Sequence, residues 1–319
     1  MARKLAALSL TALLVGAAAF AWTFTPAPLP VPQEPGPVLP PAPAQRVQLA
    51  VAETGSMESN ALFAYRGGSF EKRLFGMDVF VIRHPQGTIL FEAGFGSHLS
   101  EHFKTVPRLM RSVSKVHPAQ RLTEQLAAAH IAPASLKGIF LTHSHWDHVG
   151  ALPDLPGVPV YVNQAERDFI EHGGEATTLA RSFGVDKFQT YAFEGPAYAG
   201  FPASHDVFGD GSVVLVPAGG HTPGAVIAFL RGAERDYALI GDLAWQKEGV
   251  DIPAEKPWMS RNMVDHDPAT LRGVLVQLHQ LQAANPKLLI VPSHDRRVTS
   301  QLPRLAALAG AEPAAPSAP

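Results

Sequence analysis

Apolar residues in this chain fall into short β-rich runs early and alternate with helical periodicities later. Val79-Phe80-Val81-Ile82 and Thr88-Ile89-Leu90-Phe91 flank His84-Pro85-Gln86-Gly87, a pattern that predicts a β-hairpin. Thr105 to His130 reads as largely helical, with Leu122, Leu126 and Ala129 at helical spacing. Apolar runs at 138–141 and 158–162 predict buried strands, the second leading into a helix from Gln164. Three more strands are expected at 213–216, 225–229 and 237–240. Asp267-Pro268 opens a long helix, since Asp can cap it and proline suits its first turn. Leu271, Val274, Leu275, Leu278 and Leu281 supply its buried stripe, and Leu288 to Val291 form a last strand. Strands dominate early and helices separate them later, which implies a layered α/β architecture with sheets inside and helices outside.

The ends of the chain follow other rules. Behind Arg3 and Lys4, an uncharged run extends from Leu5 to Trp22, the layout of an export signal. Ala19-Phe20-Ala21 offers a small-x-small cleavage site; uncleaved, the run is long enough for a membrane anchor. Either fate predicts a periplasmic or secreted location. Nine of the 29 prolines lie between Pro26 and Pro43, so 23–45 reads as a polyproline II spacer. Residues 46–309 then form one domain, and 310–319 are an Ala/Pro-rich tail expected to fray.

Composition removes several kinds of chemistry. The 319 residues carry a net charge of -2, which argues against holding nucleic acid by phosphate neutralisation. With no cysteine there is no disulfide, thiolate nucleophile, iron–sulfur cluster or Cys-based zinc site. Fourteen histidines remain to be explained.

Thr142-His143-Ser144-His145-Trp146-Asp147-His148 follows directly on the strand ending at Leu141. In extended chain, residues two apart face the same way, so His143, His145 and Asp147 converge while His148 points to the other side. Four potential ligands at the exit of a buried strand would be costly to bury without a partner. The same order of strand, small residues and ligand recurs at Gly219-Gly220-His221, Gly241-Asp242 and Pro292-Ser293-His294.

His143-x-His145-x-Asp147-His148 with His221, Asp242 and His294 resembles the metallo-β-lactamase superfamily, over about Gly68 to Asp295. The resemblance implies a four-layer αβ/βα sandwich. It also implies that His143, His145 and His221 bind one metal, that Asp147, His148 and His294 bind a second, and that Asp242 bridges them. Such ligands suit two zinc ions, with manganese, iron or cobalt also fitting. Two metals share a hydroxide that attacks a carbonyl, and Asp147 can orient it or return a proton to the leaving oxygen.

Only 25 residues follow His294, which leaves no room for the helical domain of glyoxalase II thioesterases. The layout is most similar to the N-acyl homoserine lactonase branch, so the expected reaction is opening of a lactone or ester in a small-molecule substrate. Thioesterase, phosphodiesterase and iron-dependent persulfide-dioxygenase readings are the alternatives within the superfamily. The lactonase branch has a tyrosine three residues after the bridging aspartate, steadying the tetrahedral intermediate; here the position is Trp245. Glu92, where the family usually has Asp, is expected to support a metal-bound histidine or to cap the turn after the hairpin. Phe70, Phe75, Phe95, Phe201, Trp258 and Met259 are further candidates to flank the metals, and Arg261 is the nearest cation for a substrate carboxylate.

Overall fold

The computed structural model describes residues 2–308, so the tail at 310–319 lies outside the described residues. β1 (Gln48–Asn60), β2 (Lys72–His84), β3 (Gly87–Phe91), β4 (Lys115–Pro118), β5 (Leu136–Phe140), β6 (Val160–Asn163) and β7 (Phe188–Tyr191) form one sheet, in the order β4-β1-β2-β3-β5-β6-β7. β8 (His205–Asp206), β9 (Val213–Pro217), β10 (Val226–Arg231), β11 (Asp236–Leu239) and β12 (Leu288–Val291) form a second, in the order β12-β11-β10-β9-β8. β3, β5, β6 and β7 run parallel, as do β11 and β12; the remaining pairs are antiparallel.

Both faces of each sheet are covered, which is why the strands read as continuous apolar runs. In β2, Phe80 and Ile82 join Leu215, Leu230, Leu239 and Val291 in the core between the sheets. Their neighbours Val79 and Val81 turn outward onto Leu122, Leu126 and Ile170 from the flanking helices. On the far side, Ile227, Phe229 and Ile290 pack on Leu271, Leu275 and Leu278 of the helix Pro268–Ala284. Each such buried side chain contributes about 1.5–3 kcal/mol. Asp267 caps that helix by accepting from the amides of Ala269 and Thr270. The result is the helix–sheet–sheet–helix order of the metallo-β-lactamase fold.

Three regions differ from the sequence expectation. The segment 105–130 is not one helix: Arg108–Val113 and Leu122–Ala128 are helical, with edge strand β4 between them. Pro118 breaks the periodicity, and β4 recovers backbone hydrogen bonds by pairing with β1. β1 itself was not expected; its small and polar residues have weak β propensity, and pairing on both sides holds it. Third, the proline-rich segment lies against the domain. Leu29 and Leu39 pack on the core under Pro268–Ala284, and the Leu39 amide donates to Asn285 Oδ1 (2.9 Å). Asn285 Nδ2 and Arg231 Nη2 donate to the carbonyls of Pro37 (2.9 Å) and Pro40 (3.1 Å). An extended proline-rich backbone leaves its carbonyls unpaired, so side chains of the domain can tie it down.

The helix Ala2–Trp22 precedes this strap, and Arg66 fixes its end by donating to the Trp22 carbonyl (3.0 Å). Among residues 11–308, whose side chains are described, no helix is long and apolar enough to cross a membrane; the uncharged run at 5–22 lies partly outside them.

Candidate metal centre

Every ligand suggested by the sequence lies just past the carboxyl end of a strand. β5 delivers His143, His145, Asp147 and His148; β9 delivers His221, β11 Asp242 and β12 His294. All seven are buried. They fall into clusters of His143, His145 and His221; His143, His148 and Asp242; and Asp147, His148 and His294, with the donor atoms of each cluster within 4.8 Å of one another. His148 does not point away as extended geometry predicts. Its amide donates to the His145 carbonyl (3.0 Å), and this turn swings its ring to 4.0 Å from that of His143.

The distances divide the centre into halves joined by Asp242. In the first, His221 Nε2 lies 3.2 Å from His143 Nε2 and 3.0 Å from His145 Nδ1. Asp242 Oδ2 is 3.6 Å from His221 Nε2. In the second, Asp242 Oδ1 is 3.2 Å from His148 Nε2 and 2.8 Å from His294 Nε2, with Asp147 Oδ2 3.4 Å from His294 Nε2. Nitrogen donors arranged tetrahedrally about 2.0–2.1 Å from one ion lie about 3.4 Å from each other, so the first trio has the spacing of a shared ion. His148 Nε2 and Asp242 Oδ1 are buried without hydrogen-bond partners, as donors meant for a cation would be. The donor set therefore fits two divalent ions.

The surroundings fix which nitrogen each ring presents. His221 Nδ1 donates to Asp265 Oδ1 (2.7 Å), leaving Nε2 for a metal. His294 Nδ1 donates to the Gly76 carbonyl (2.7 Å). His148 Nδ1 lies 3.0 Å from Glu92 Oε2, while Glu92 Oε1 accepts from Thr142 Oγ1. Glu92 is held at φ 68°, a conformation that costs a non-glycine residue of order 1 kcal/mol or more, and its carboxylate is aimed at a ligand. Gly220 (φ 84°) lets the loop bearing His221 run against Leu271; an added Cβ would lie 2.8 Å from the Leu271 backbone.

Burial and mutual crowding hold the imidazoles of His143 and His145 well below the usual range, and burial with Lys256 nearby lowers His221. For His148, burial is outweighed by Glu92, Asp242 and Asp147, which raise it well above that range. His294 is raised against burial by Asp242 and Asp147. Asp242, despite burial, is held well below the carboxylate range by His294 and His148.

A cavity of about 820 Å³, counted to its open mouth, reaches His145, Asp147, Asp242 and His294 through walls that include Met57, Phe75, Met110, Trp245 and Met263. Phe75 and Trp245 thus line the cavity beside the ligand cluster, and Met259 lines an adjoining apolar recess. Phe95 packs beneath Trp146 (5.2 Å), Phe201 belongs to the core of the second sheet, and Phe70 is exposed. Trp258, half-exposed, meets Phe20 edge-on (6.3 Å). Arg261 is paired with Glu255 (2.5 Å) and is not free for a substrate carboxylate. The one donor of Trp245 goes to Asp242 Oδ2 (2.7 Å), so the indole acts on the bridging carboxylate.

Sequence reasoning missed three supporting residues. Glu166 accepts from the Ser144 amide (2.7 Å) and the hydroxyls of Ser144 (2.5 Å) and Thr222 (2.6 Å), tying the two histidine loops together. Its position three residues after the cap Asn163 marks a helix start and hides that second task. Asp265 and Lys256 carry no local signature.

The family model described as the metallo-beta-lactamase superfamily matches residues 74–294. A probable metallo-hydrolase of Mycobacterium tuberculosis is 26% identical over 240 residues, covering 68% of this chain and 74% of that protein. Another, from Bacillus subtilis, is 30% identical over 118 residues, covering 34% of this chain and 49% of its own length. Among solved structures, an N-acyl homoserine lactone hydrolase with bound N-hexanoyl-L-homoserine superposes with a TM-score of 0.64 at 16% identity, covering 81% of this chain and 98% of its own. The dizinc lactonase AidC gives 0.54 at 13% identity, covering 85% and 90%. At such identities the structural likeness establishes the fold. The family match spans well over half of the 319 residues and ends on the His294 ligand, and the chain belongs to the metallo-β-lactamase superfamily as a metal-dependent hydrolase.

Proposed function

We propose that this centre takes two zinc ions, with manganese, iron or cobalt able to replace them, and hydrolyses the carbonyl–oxygen bond of a lactone or small ester. The observation that carries this reading is the meeting of the two half-sites with an apolar cavity at Asp147, Asp242 and His294. Two ions bound there would polarise a carbonyl and acidify a water. The chain's own residues do the rest. Asp147 lines the cavity and is buried beside His294, where its carboxylate can take a proton from the attacking water and return it to the leaving alcohol. Trp245 holds Asp242 in its bridging orientation. The mostly apolar wall favours a small organic substrate with a hydrophobic arm. Export, by cleavage after the uncharged run or by anchoring through it, is part of the same proposal and rests on the sequence at 5–22.

The test is a panel of lactones, esters, thioesters, β-lactams and phosphodiesters offered to metal-replete protein and to Asp147→Asn. Lactone or ester turnover should fall by about 10²–10⁴-fold in the variant. Undiminished turnover would overturn the role of Asp147. One iron per chain with oxygen consumption would overturn the hydrolytic reading.

A further inference from the structure

A lysine is an uncommon thing to find beside a pair of cation sites. Lys256 is 2% exposed, and its ammonium sits behind the first half-site. Nζ donates to Asp265 Oδ1 (2.8 Å) and to the backbone carbonyl of Asp242 (2.9 Å), and it lies 5.3 Å from the centre of the Trp245 ring. Two of the three N–H donors of the ammonium are used in these hydrogen bonds, and the charge also faces the indole ring. Burying a charge is expensive even when it is paired, so its retention needs a reason beyond packing.

The geometry points to Lys256 as a positioning residue for the metal centre. Through Asp265 it sets the ring of His221, and through the Asp242 carbonyl and Trp245 it sets the bridging carboxylate. The Asp265 side chain is fully buried and accepts from both His221 Nδ1 and Lys256 Nζ on one oxygen, leaving Oδ2 without a partner. Without the ammonium, this carboxylate would keep only the imidazole as a partner. It would then be free to rotate, and the His221 ring that it anchors would turn with it, shifting where Nε2 points. Lys256 also links the turn after β11, the Trp245 ring and the segment preceding the helix Pro268–Ala284. Asp242 and Trp245 line the cavity whereas Lys256 stands behind them, so its influence passes through its partners.

The inference rests on the dinuclear reading, and its test is separable from the choice of substrate. Metal-loaded protein is challenged with a chelator and the release of each ion is timed. Lys256→Met, similar in length and uncharged, should release one of the two ions about 10- to 100-fold faster while the other stays, the usual scale for losing a partner behind a ligand. Lys256→Gln keeps two N–H donors without the charge. It should hold its ions nearly as long as the parent, while the acid limb of its pH–rate profile moves to higher pH by about one unit, because a nearby positive charge has gone. Combining Lys256→Met with Asp265→Asn should speed release beyond Asp265→Asn alone by less than the full Lys256→Met effect, because the two share the route through Asp265 while the route through Asp242 is separate. Release rates and pH profiles equal to the parent's in the Met and Gln variants would overturn the inference, as would a strictly additive double variant. Should Lys256→Met fail to fold, Lys256→Gln and its combination with Asp265→Asn carry the test. If the parent holds two ions yet turns over no lactone or ester, the functional reading fails and the release comparison still stands.

Discussion

The two halves of the metal centre hold their imidazoles in opposite electrostatic states. His143, His145 and His221 are neutral donors, kept so by burial and by one another, and behind them stand Asp265, Lys256 and Glu166. His148 and His294 sit among Glu92, Asp147 and Asp242 and favour the protonated ring. In the second half, protons take the place of a cation's charge; in the first, nothing does. A metal entering the second half must expel protons, whereas the first offers lone pairs already free. The bridging Asp242 belongs to both: Oδ2 toward the first and Oδ1 toward the second.

The largest effects should come from breaking this contrast one half at a time. Asp265→Asn removes the carboxylate behind His221, and Glu92→Gln the one behind His148. Each should weaken one ion by about 10–100-fold and spare the other. Dialysis against graded chelator followed by metal analysis would show one ion lost early in either variant and both lost early in the double. Loss of both ions together from a single variant would show that Asp242 couples the halves too tightly for them to be distinguished.

An intermediate effect is expected on the metal-free protein, through pH. The first trio has folded values below the ordinary 6.5, so protons bind the unfolded chain first and this contribution to stability is lost as pH falls through about 6.5. His148 has a folded value well above 6.5, and His294 is raised in the same direction. Their contribution is complete below the unfolded value and is lost as pH rises through the folded one. Both contributions coexist only between 6.5 and the raised value. Thermal unfolding of the metal-free protein should therefore show a stability maximum on the alkaline side of 6.5. A steady rise in unfolding temperature to pH 9 would contradict the assignment of His148.

The ligands were legible because each follows a buried strand, where a histidine or aspartate has little other reason to be. The support behind them was not. Asp265 reaches His221 across 44 positions of sequence, and only the fold brings them to 2.7 Å. Glu166 reads locally as a helix start, and its second task appears only when two loops close over it. Glu92 was visible because it departs from the family's usual Asp, and the structure adds its left-handed backbone and its contact with His148. The strand pattern was readable where large apolar residues run together, as in β2 and β10, and unreadable in β1, whose small and polar residues are held by pairing on both sides. The proline-rich segment shows the same limit. Its backbone conformation follows from composition, but the side chains that hold it, Asn285 and Arg231, lie far away in sequence.

The smallest effect expected is at Trp245, and it sharpens the comparison most finely because its hydrogen bond goes to the shared ligand. Its N–H donates to Asp242 Oδ2, the oxygen that faces the first half. Trp245→Phe removes that bond and keeps most of the ring against Phe75, whose centroid is 6.0 Å away. A bond to a charged acceptor contributes about 1.5–3 kcal/mol, but Asp242 keeps the rest of its surroundings, including the Lys256 bond to its own carbonyl. Turnover should fall by no more than about tenfold, with both ions retained, because the lost bond orients the bridge and does not itself hold an ion. Trp245→Tyr would separate two roles for the position. If the indole acts only on Asp242, tyrosine should recover little, since its hydroxyl reaches past the carboxylate. If a donor facing the cavity is what turnover needs, tyrosine should exceed the parent, and the side chain at 245 would then act on substrate as well as on the bridge.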